Sequence, residues 1–594
     1  MSNTNFLPIT LEETKRLGWS EVDIVIVSGD AYVDHPAFGA AVLGRSLEAA
    51  GFNVAIIPQP NWRDDLRDFR KFGRPRLCFL VTSGCMDSMV NHYTAARRLR
   101  HDDAYTPGGE AGFRPDRAAY VYTRCLKQNY PDVPVIVGGI EASMRRLAHY
   151  DYWADSLFPS ILAEIPADLL TYGMGERLVV KAAQMLNDGY PIESLRELPQ
   201  QAYITDQKPE VADAIWLHSF EQCQKSKRCQ AENFHQIERE SNKIECATLI
   251  QPHGKRWVVV NPPDAPFTQE ELDQSFDLPY TRLPHPKYRK RGPIPAYEMI
   301  KFSINSHRGC FGGCAFCTIS AHQGKQVVSR SEQSILREVK YVTQMEDFHG
   351  TLSDLGGPSA NMYGMHGKNR ELCKKCMRYS CIHPTHCANL MSDHRPLIEL
   401  QRKVSAIPGV KHRFVGSGIR YDLFTDKNGG FDYFREIVLH HVSGRLKVAP
   451  EHSSDAVLKV MRKPSFELFK RTKAQFEQIC KESGKKYQLI PYFISSHPGC
   501  RLSDMAELSV QMKRMGYRLE QVQDFTPTPM TLATEMYYTG FNPETMEPIY
   551  VAVHPNEKKE QNLLFFYYKR ELVPQIRKIL QKSHNAGYIP KLGL

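Results

Sequence analysis

The sequence predicts an α/β protein: a doubly wound parallel sheet followed by a partial (β/α)6 TIM barrel. Two observations carry that reading. Short apolar runs recur early in the chain, at residues 23–28, 53–58, 77–82, 133–139 and 167–173, with helical spacing between them, as at Val42, Leu43 and Leu47 ahead of Gly51. Strands buried on both faces read as continuous apolar runs, and their alternation with helices builds a parallel sheet. Six further strand–helix units then follow, with strands expected at 300–304, 351–355, 412–416, 444–449, 487–494 and 519–525. Repeated βα units close towards a barrel whose site lies at the carboxyl ends of its strands.

A chain of 594 residues exceeds a single core. We read four parts: an α/β domain over 1–185, an irregular connecting segment over 186–292, the barrel over 293–545 with a Cys-rich insertion at 362–394, and a helical tail over 546–594. Hydrophobic content of 42% and charged content of 24% are globular. The start has neither a basic nor an apolar leader region, and no run of about 18 apolar residues predicts a membrane span. The fifteen cysteines then read as metal ligands and buried thiols in a reducing cytoplasm, not as disulfides. The formal charge of +10 is mild; it permits a nucleic-acid partner and does not demand one.

One stretch concentrates chemistry: Cys310-Phe-Gly-Gly-Cys314-Ala-Phe-Cys317. Four thiolates complete a [4Fe–4S] cluster, whereas three leave one iron open, the arrangement of a catalytic metal. Gly309, Gly312 and Gly313 allow the loop to fold tightly. The candidate metal ligands are therefore Cys310, Cys314 and Cys317. Polar groups at the expected strand ends, including Ser417, Arg420, Glu451, His452, His497 and Thr526 to Thr528, are candidates to line a pocket.

The Cys-x3-Cys-x2-Cys spacing with Phe316 before the third cysteine resembles the signature of the radical S-adenosylmethionine (SAM) superfamily. That resemblance implies a [4Fe–4S] cluster whose open iron holds SAM, and reductive cleavage to a 5′-deoxyadenosyl radical. It implies that Gly356 and Gly357 meet the amino group of SAM, with Ser417 and Glu451 lining its pocket and Phe316 near the adenine. The first domain resembles the cobalamin-binding-like domain of many such enzymes. Its cobalamin motif is not met, because His35 directly follows Asp34 and precedes Pro36, so cobalamin is not expected. The strings Asp87-Ser-Met-Val-Asn-His-Tyr93, Arg114-Pro-Asp-Arg117 and Glu141-Ala-Ser-Met-Arg-Arg-Leu-Ala-His-Tyr-Asp-Tyr-Trp153 are similar to the YgiQ family of radical SAM proteins. The loops around Asp102 and Asp103 and around Arg145 and Arg146 are expected to face the barrel mouth and share its cavity.

A second cysteine set, Cys373, Cys376, Cys381 and Cys387, lies on the polar insertion. A segment that cannot bury a core is ordered by a metal staple. Zinc and a second iron–sulfur cluster both suit four thiolates, with His383 and His386 as spare ligands. Residues 220–245 read as a solvated helix, with no metal role for Cys223 or Cys229. Residues 563–580 read as a packed helix split by Pro574. The functional expectation is a SAM-cleaving enzyme of unassigned substrate, reduced by a protein such as flavodoxin or ferredoxin. The alternatives are a methylthiotransferase-like modifier of tRNA or protein, suggested by Gly356-Gly357-Pro358, and a non-catalytic metal- or SAM-binding regulator.

Overall fold

The computed structural model describes residues 6–519 and 522–594. Its largest sheet has nine strands, in the order Val54–Pro58, Ile24–Ser28, Cys78–Thr82, Val135–Gly138, Leu169–Thr171, Gln201–Thr205, Arg256–Val260, Leu249–His253 and Ile215–Trp216. The first five pair in parallel, as the apolar runs require. Ile24–Ser28, second in that order, is buried throughout. Helices cover both faces: Gly39–Ala49 and Glu176–Asn187 enclose one apolar core with Ile24, Ile26 and Ile56, and Ala118–Asn129 encloses another with Val25, Val27 and Phe79.

The remaining four strands correct the reading of 186–292 as irregular. Gln201–Thr205 joins antiparallel to Leu169–Thr171, and the hairpin Leu249–His253/Arg256–Val260 extends the same sheet. The apolar run Trp257-Val-Val-Val reads as a strand in the sequence, whereas Gln201–Thr205 and Leu249–His253 carry Gln, Thr, Pro and His, so their apolar pattern is weak. The helix expected to be solvated is also packed. Its two parts, Phe220–Lys225 and Lys227–Ser241, bury Cys223, Gln230, Asn233, Phe234 and Ile237, and Gln230 donates to Glu535 of the helix Leu532–Thr539 at 3.1 Å.

Beyond residue 300 four strand pairs are parallel, while His307–Arg308 with Val328–Ser329 and His366–Gly367 with Leu390–Met391 form short antiparallel pairs. Ser303–Asn305 pairs with Asp354–Gly356, Thr351–Leu352 with His412–Arg413, Arg445–Glu451 with Gln488–Ser495, and Gln488–Ser495 with Gln523–Asp524. Helices Glu332–Val342, Arg395–Ser405, Gly430–His440, Phe466–Ser483 and Leu502–Arg514 intervene and share one apolar core. Parallel strands alternate with helices, as expected of a partial barrel, and among the described residues they hydrogen-bond in separate sheets of two and three strands. Of the strand expected over 519–525, residues 520 and 521 lie outside the described part. In the tail, Pro574 sits in the first turn of Val573–Lys582, where its missing N–H costs nothing, and the chain ahead of it forms the separate helix Pro555–Leu563.

Candidate metal centre

The loop after Ser303–Asn305 carries the three cysteines to the carboxyl end of the barrel strands. Two of its glycines are dictated by geometry. Gly309 (φ +83°) and Gly313 (φ +62°) adopt the left-handed conformation, and a Cβ on either meets a backbone carbonyl, that of Gln326 or Tyr379. Cys310 is buried, takes the Gly312 N–H at 3.4 Å and stands 3.6 Å from Ser359 Oγ. Arg420 Nη1 donates to Cys314 Sγ at 3.1 Å. Burial pushes the Cys317 thiol up to about 12, and the charges of Cys314 and Cys310 add to the rise. The three sulfurs thus lie in one another's field with a guanidinium beside them, a setting for thiolates bound to metal. Among the described residues, the one group of His, Cys, Asp and Glu ligand atoms within 4.8 Å of one another is His218, Cys229 and Glu232. Glu232 there is already paired with His218 at 2.9 Å and with Arg228 at 3.0 Å. The three loop sulfurs do not form a group of this kind.

The other predicted positions converge on the same end. Ser306, just before the loop, donates from both N and Oγ to the Gly356 carbonyl, at 2.6 and 2.9 Å. A Cβ on Gly356 meets Ser417 Oγ, and one on Gly357 meets the His307 ring. Close approach of protein groups already requires glycine at both positions. Ser417 donates to Asp354 Oδ1 at 3.1 Å. Phe316 packs edge-on against His497, with ring centroids 5.9 Å apart. Glu451 ends its strand at φ +67° beside Lys463, 3.6 Å away, and burial raises its pKa. His307 and His497, both buried, are held near pKa 4 by desolvation and are neutral at pH 7.

A brace behind Cys314 has no counterpart among the sequence motifs. Arg420 pairs with Asp422 at 2.5 Å, and its backbone N–H and C=O are both engaged by the Asn361 amide, at 2.7 and 3.0 Å. Arg420 was visible as a strand-end residue; Asn361 and Asp422 carry no spacing signal.

The N-terminal sheet closes over this end. A cavity of about 350 Å³ lies between the carboxyl ends of its strands, at Thr82, Gly138 and Thr171, and Asn305, Arg308, Thr318 and His322 from the cysteine loop region. The Arg308–Glu176 ion pair spans the two walls. A neighbouring cavity brings Arg146 together with Cys314 and Cys317. Arg146 is buried over the Tyr172 ring, with no carboxylate partner among the described residues. Of the loops expected at the barrel mouth, only that of Arg146 has this placement. Arg145 pairs inside its own domain with Asp87, Asp103 with Arg114, and Asp102 is exposed. His35 is a buried turn residue whose Nδ1 accepts the Ala37 N–H at 3.0 Å.

Residues 6–303, half of the chain, match the family model described as Radical SAM N-terminal. The chain belongs to the radical SAM family. Residues 520–589 match a domain of unknown function, DUF3362. Proteins described as "UPF0313 protein" are 56% identical in Porphyromonas gingivalis, covering 99% of this chain and 94% of that one, and 56% identical in Bacteroides thetaiotaomicron, covering 99% and 98%. One from Methanocella arvoryzae is 48% identical, covering 98% and 96%. Relatives at this identity over the whole length agree with the resemblance to YgiQ-type radical SAM proteins. Among solved structures, the radical SAM methyltransferase TsrM from Kitasatospora setae, with cobalamin and a [4Fe–4S] cluster bound, matches at TM-score 0.49 and 14% identity, covering 91% and 84%. OxsB, a cobalamin-dependent SAM radical enzyme with aqua-cobalamin bound, matches at 0.46 and 10%, covering 89% and 56%. The expectation against cobalamin rests on the His35 spacing alone and gains no support from these two.

Proposed function

We propose that this protein is an enzyme that cleaves SAM reductively and acts on a substrate held between the N-terminal sheet and the barrel mouth. One observation carries it: on a glycine-shaped loop with a guanidinium beside it, Cys314 and Cys317 line a cavity that Arg146 of the N-terminal half also walls, and the loop region borders the larger cavity between the two halves. Cys310, Cys314 and Cys317 would hold a [4Fe–4S] cluster, which supplies the electron that splits SAM into methionine and a 5′-deoxyadenosyl radical. Arg420 offsets the negative charge of the thiolates. Ser306, Ser417 and Asp354 fix the Gly356–Gly357 turn by which SAM would lie, and Phe316 offers a ring face to the adenine. The chamber excludes water from a reactive species, and Arg146 offers a buried cation to an anionic group of the substrate. An external one-electron protein donor of the flavodoxin or ferredoxin class would reduce the centre. Among the described residues no helix is long and apolar enough to cross a membrane, and we place the enzyme in the cytoplasm, where thiolates and the cluster stay reduced.

The test is anaerobic reconstitution with iron and sulfide, reduction with dithionite, and addition of SAM. We expect 5′-deoxyadenosine and methionine in equal amounts, and none from the Cys310→Ala/Cys314→Ala/Cys317→Ala variant. SAM binding without 5′-deoxyadenosine favours the regulator; methylthio transfer to tRNA or protein favours the methylthiotransferase reading.

A further inference from the structure

We propose that Cys373, Cys376, Cys381 and Cys387 hold a second [4Fe–4S] cluster, fully ligated, which passes one electron to the centre at Cys310, Cys314 and Cys317. The electron-transfer half rests on the reading above; the cluster itself does not.

One buried cation lies beside three of the insertion's four thiols, those of Cys373, Cys376 and Cys381. Lys325 Nζ stands 3.9 Å from Cys376 Sγ and donates to the Arg378 carbonyl at 2.6 Å. Lys325 is 4% exposed and has no carboxylate partner among the described residues. A buried charge without a counterion is costly, and four metal-bound thiolates supply the missing negative charge. Asn389 Nδ2 donates to Cys373 Sγ at 3.3 Å. Backbone bonds fold the segment on itself, from Cys376 N to the Cys373 carbonyl at 3.3 Å and from Cys387 N to the Cys381 carbonyl at 2.7 Å. Cys373, Cys376 and Cys387 all act on the Cys381 thiol, so the four share one locality.

The separation of the sulfurs favours iron over zinc. Zinc, at about 2.3 Å from each sulfur, draws tetrahedral thiolates to about 3.8 Å of one another. No three of these sulfurs lie within 4.8 Å of one another, and neither do those of the first loop. A four-iron cube holds its thiolates farther apart than a single ion does. With four thiolates no iron is left open, so the cluster binds no substrate and its chemistry is electron transfer.

Its position gives the transfer a direction. The two loops interlock: Cys381 N and Ser380 Oγ both donate to the Phe311 carbonyl, at 3.1 and 3.2 Å. Cys310 and Cys381 belong to one apolar cluster with Phe311, Met362 and Ile382. On the outer side Leu372 and Met377 are 66% and 47% exposed beside the exposed Lys375, a face suited to an acidic protein donor. An electron from a reduced flavodoxin- or ferredoxin-class protein takes the second cluster from 2+ to 1+. The cluster returns to 2+ as the first goes from 2+ to 1+, and no bond forms or breaks at the second site.

The experiment begins with the Cys310→Ala/Cys314→Ala/Cys317→Ala variant, reconstituted anaerobically. We expect about four irons and four sulfides per chain and a reducible electron paramagnetic resonance signal; zinc in their place, or a folded chain without metal, overturns the cluster. This result stands whether or not the wild type cleaves SAM. The transfer is read in the Cys376→Ala/Cys387→Ala variant by the rate at which the first cluster is reduced. With reduced flavodoxin it should fall at least tenfold while dithionite stays within twofold, and equal rates with flavodoxin overturn it. Should that variant not fold, Lys325→Met keeps all four thiols. It should lower the midpoint potential of the second signal and leave the first unmoved, and an unchanged second potential overturns the placement of Lys325.

Discussion

Arg420 links the metal loop to the charge of its surroundings. It is buried, donates to Cys314, pairs with Asp422 and is fixed by Asn361. Removing one partner of a buried pair leaves the other charged and unsolvated, a cost of about 3–5 kcal/mol. Arg420→Met should therefore lower the melting temperature and lose most of the iron of the first centre. Arg420→Met/Asp422→Leu should regain the melting temperature and not the iron, which separates the two roles. A second residue makes the pH dependence testable. Glu535 is buried, its carboxyl group takes a hydrogen bond from Gln230 alone among the described residues, and burial raises its pKa to about 8. Between pH 4.5 and 8 the folded chain keeps a proton that the unfolded chain has lost, so stability falls as pH rises, by up to about 1.4 kcal/mol per unit. Glu535→Gln should melt higher than wild type at pH 8, with the difference vanishing near pH 4.5. Equal melting curves at pH 8 rule out a buried carboxyl here.

At the scale of elements, the cysteine loop shows which sequence signals carry structure. Its glycines were legible because a left-handed backbone leaves one strong preference. Gly313→Ala must displace the Tyr379 carbonyl and hence the insertion, so iron at both cysteine sets should fall together. Gly324→Ala meets open space at φ +92° and should cost only about 1 kcal/mol, with iron retained. Metal analysis of the two variants distinguishes crowding from conformation. The parallel strands of the first sheet were legible for the same kind of reason: Ile24–Ser28 and Val54–Pro58 are apolar at nearly every position. The antiparallel extension was legible only at the apolar run of Arg256–Val260, because Gln201, Gln251 and His253 are buried polar residues whose partners are distant in sequence, as when Ala148 N donates to Gln251 Oε1. The helix Lys227–Ser241 was misread likewise, since its buried face mixes Ala231, Phe234 and Ile237 with Gln230, Asn233 and Glu240.

For the whole molecule, the joint between sheet and barrel makes the chamber. A doubly wound sheet offers its crevice at the carboxyl strand ends, and a barrel offers its mouth at the same ends. Here the two face each other, so neither half alone closes the cavity of about 350 Å³. Arg308–Glu176 is its main strap: both side chains are nearly buried, and Arg308 also lies 5.1 Å from the centre of the Phe276 ring. Arg308→Met leaves Glu176 in a closed space without its cation, and water must enter to solvate it. Hydrogen exchange should then speed at least tenfold at residues 171–176 and 318–323, the two walls. Residues 24–28 and 78–82, in the sheet interior, should keep their protection. Arg308→Met/Glu176→Leu should restore slow exchange at the walls, because the uncompensated charge is gone. Unchanged exchange at residues 318–323 in Arg308→Met assigns closure of the chamber to apolar packing around Ile319 and Met174 instead of to this pair.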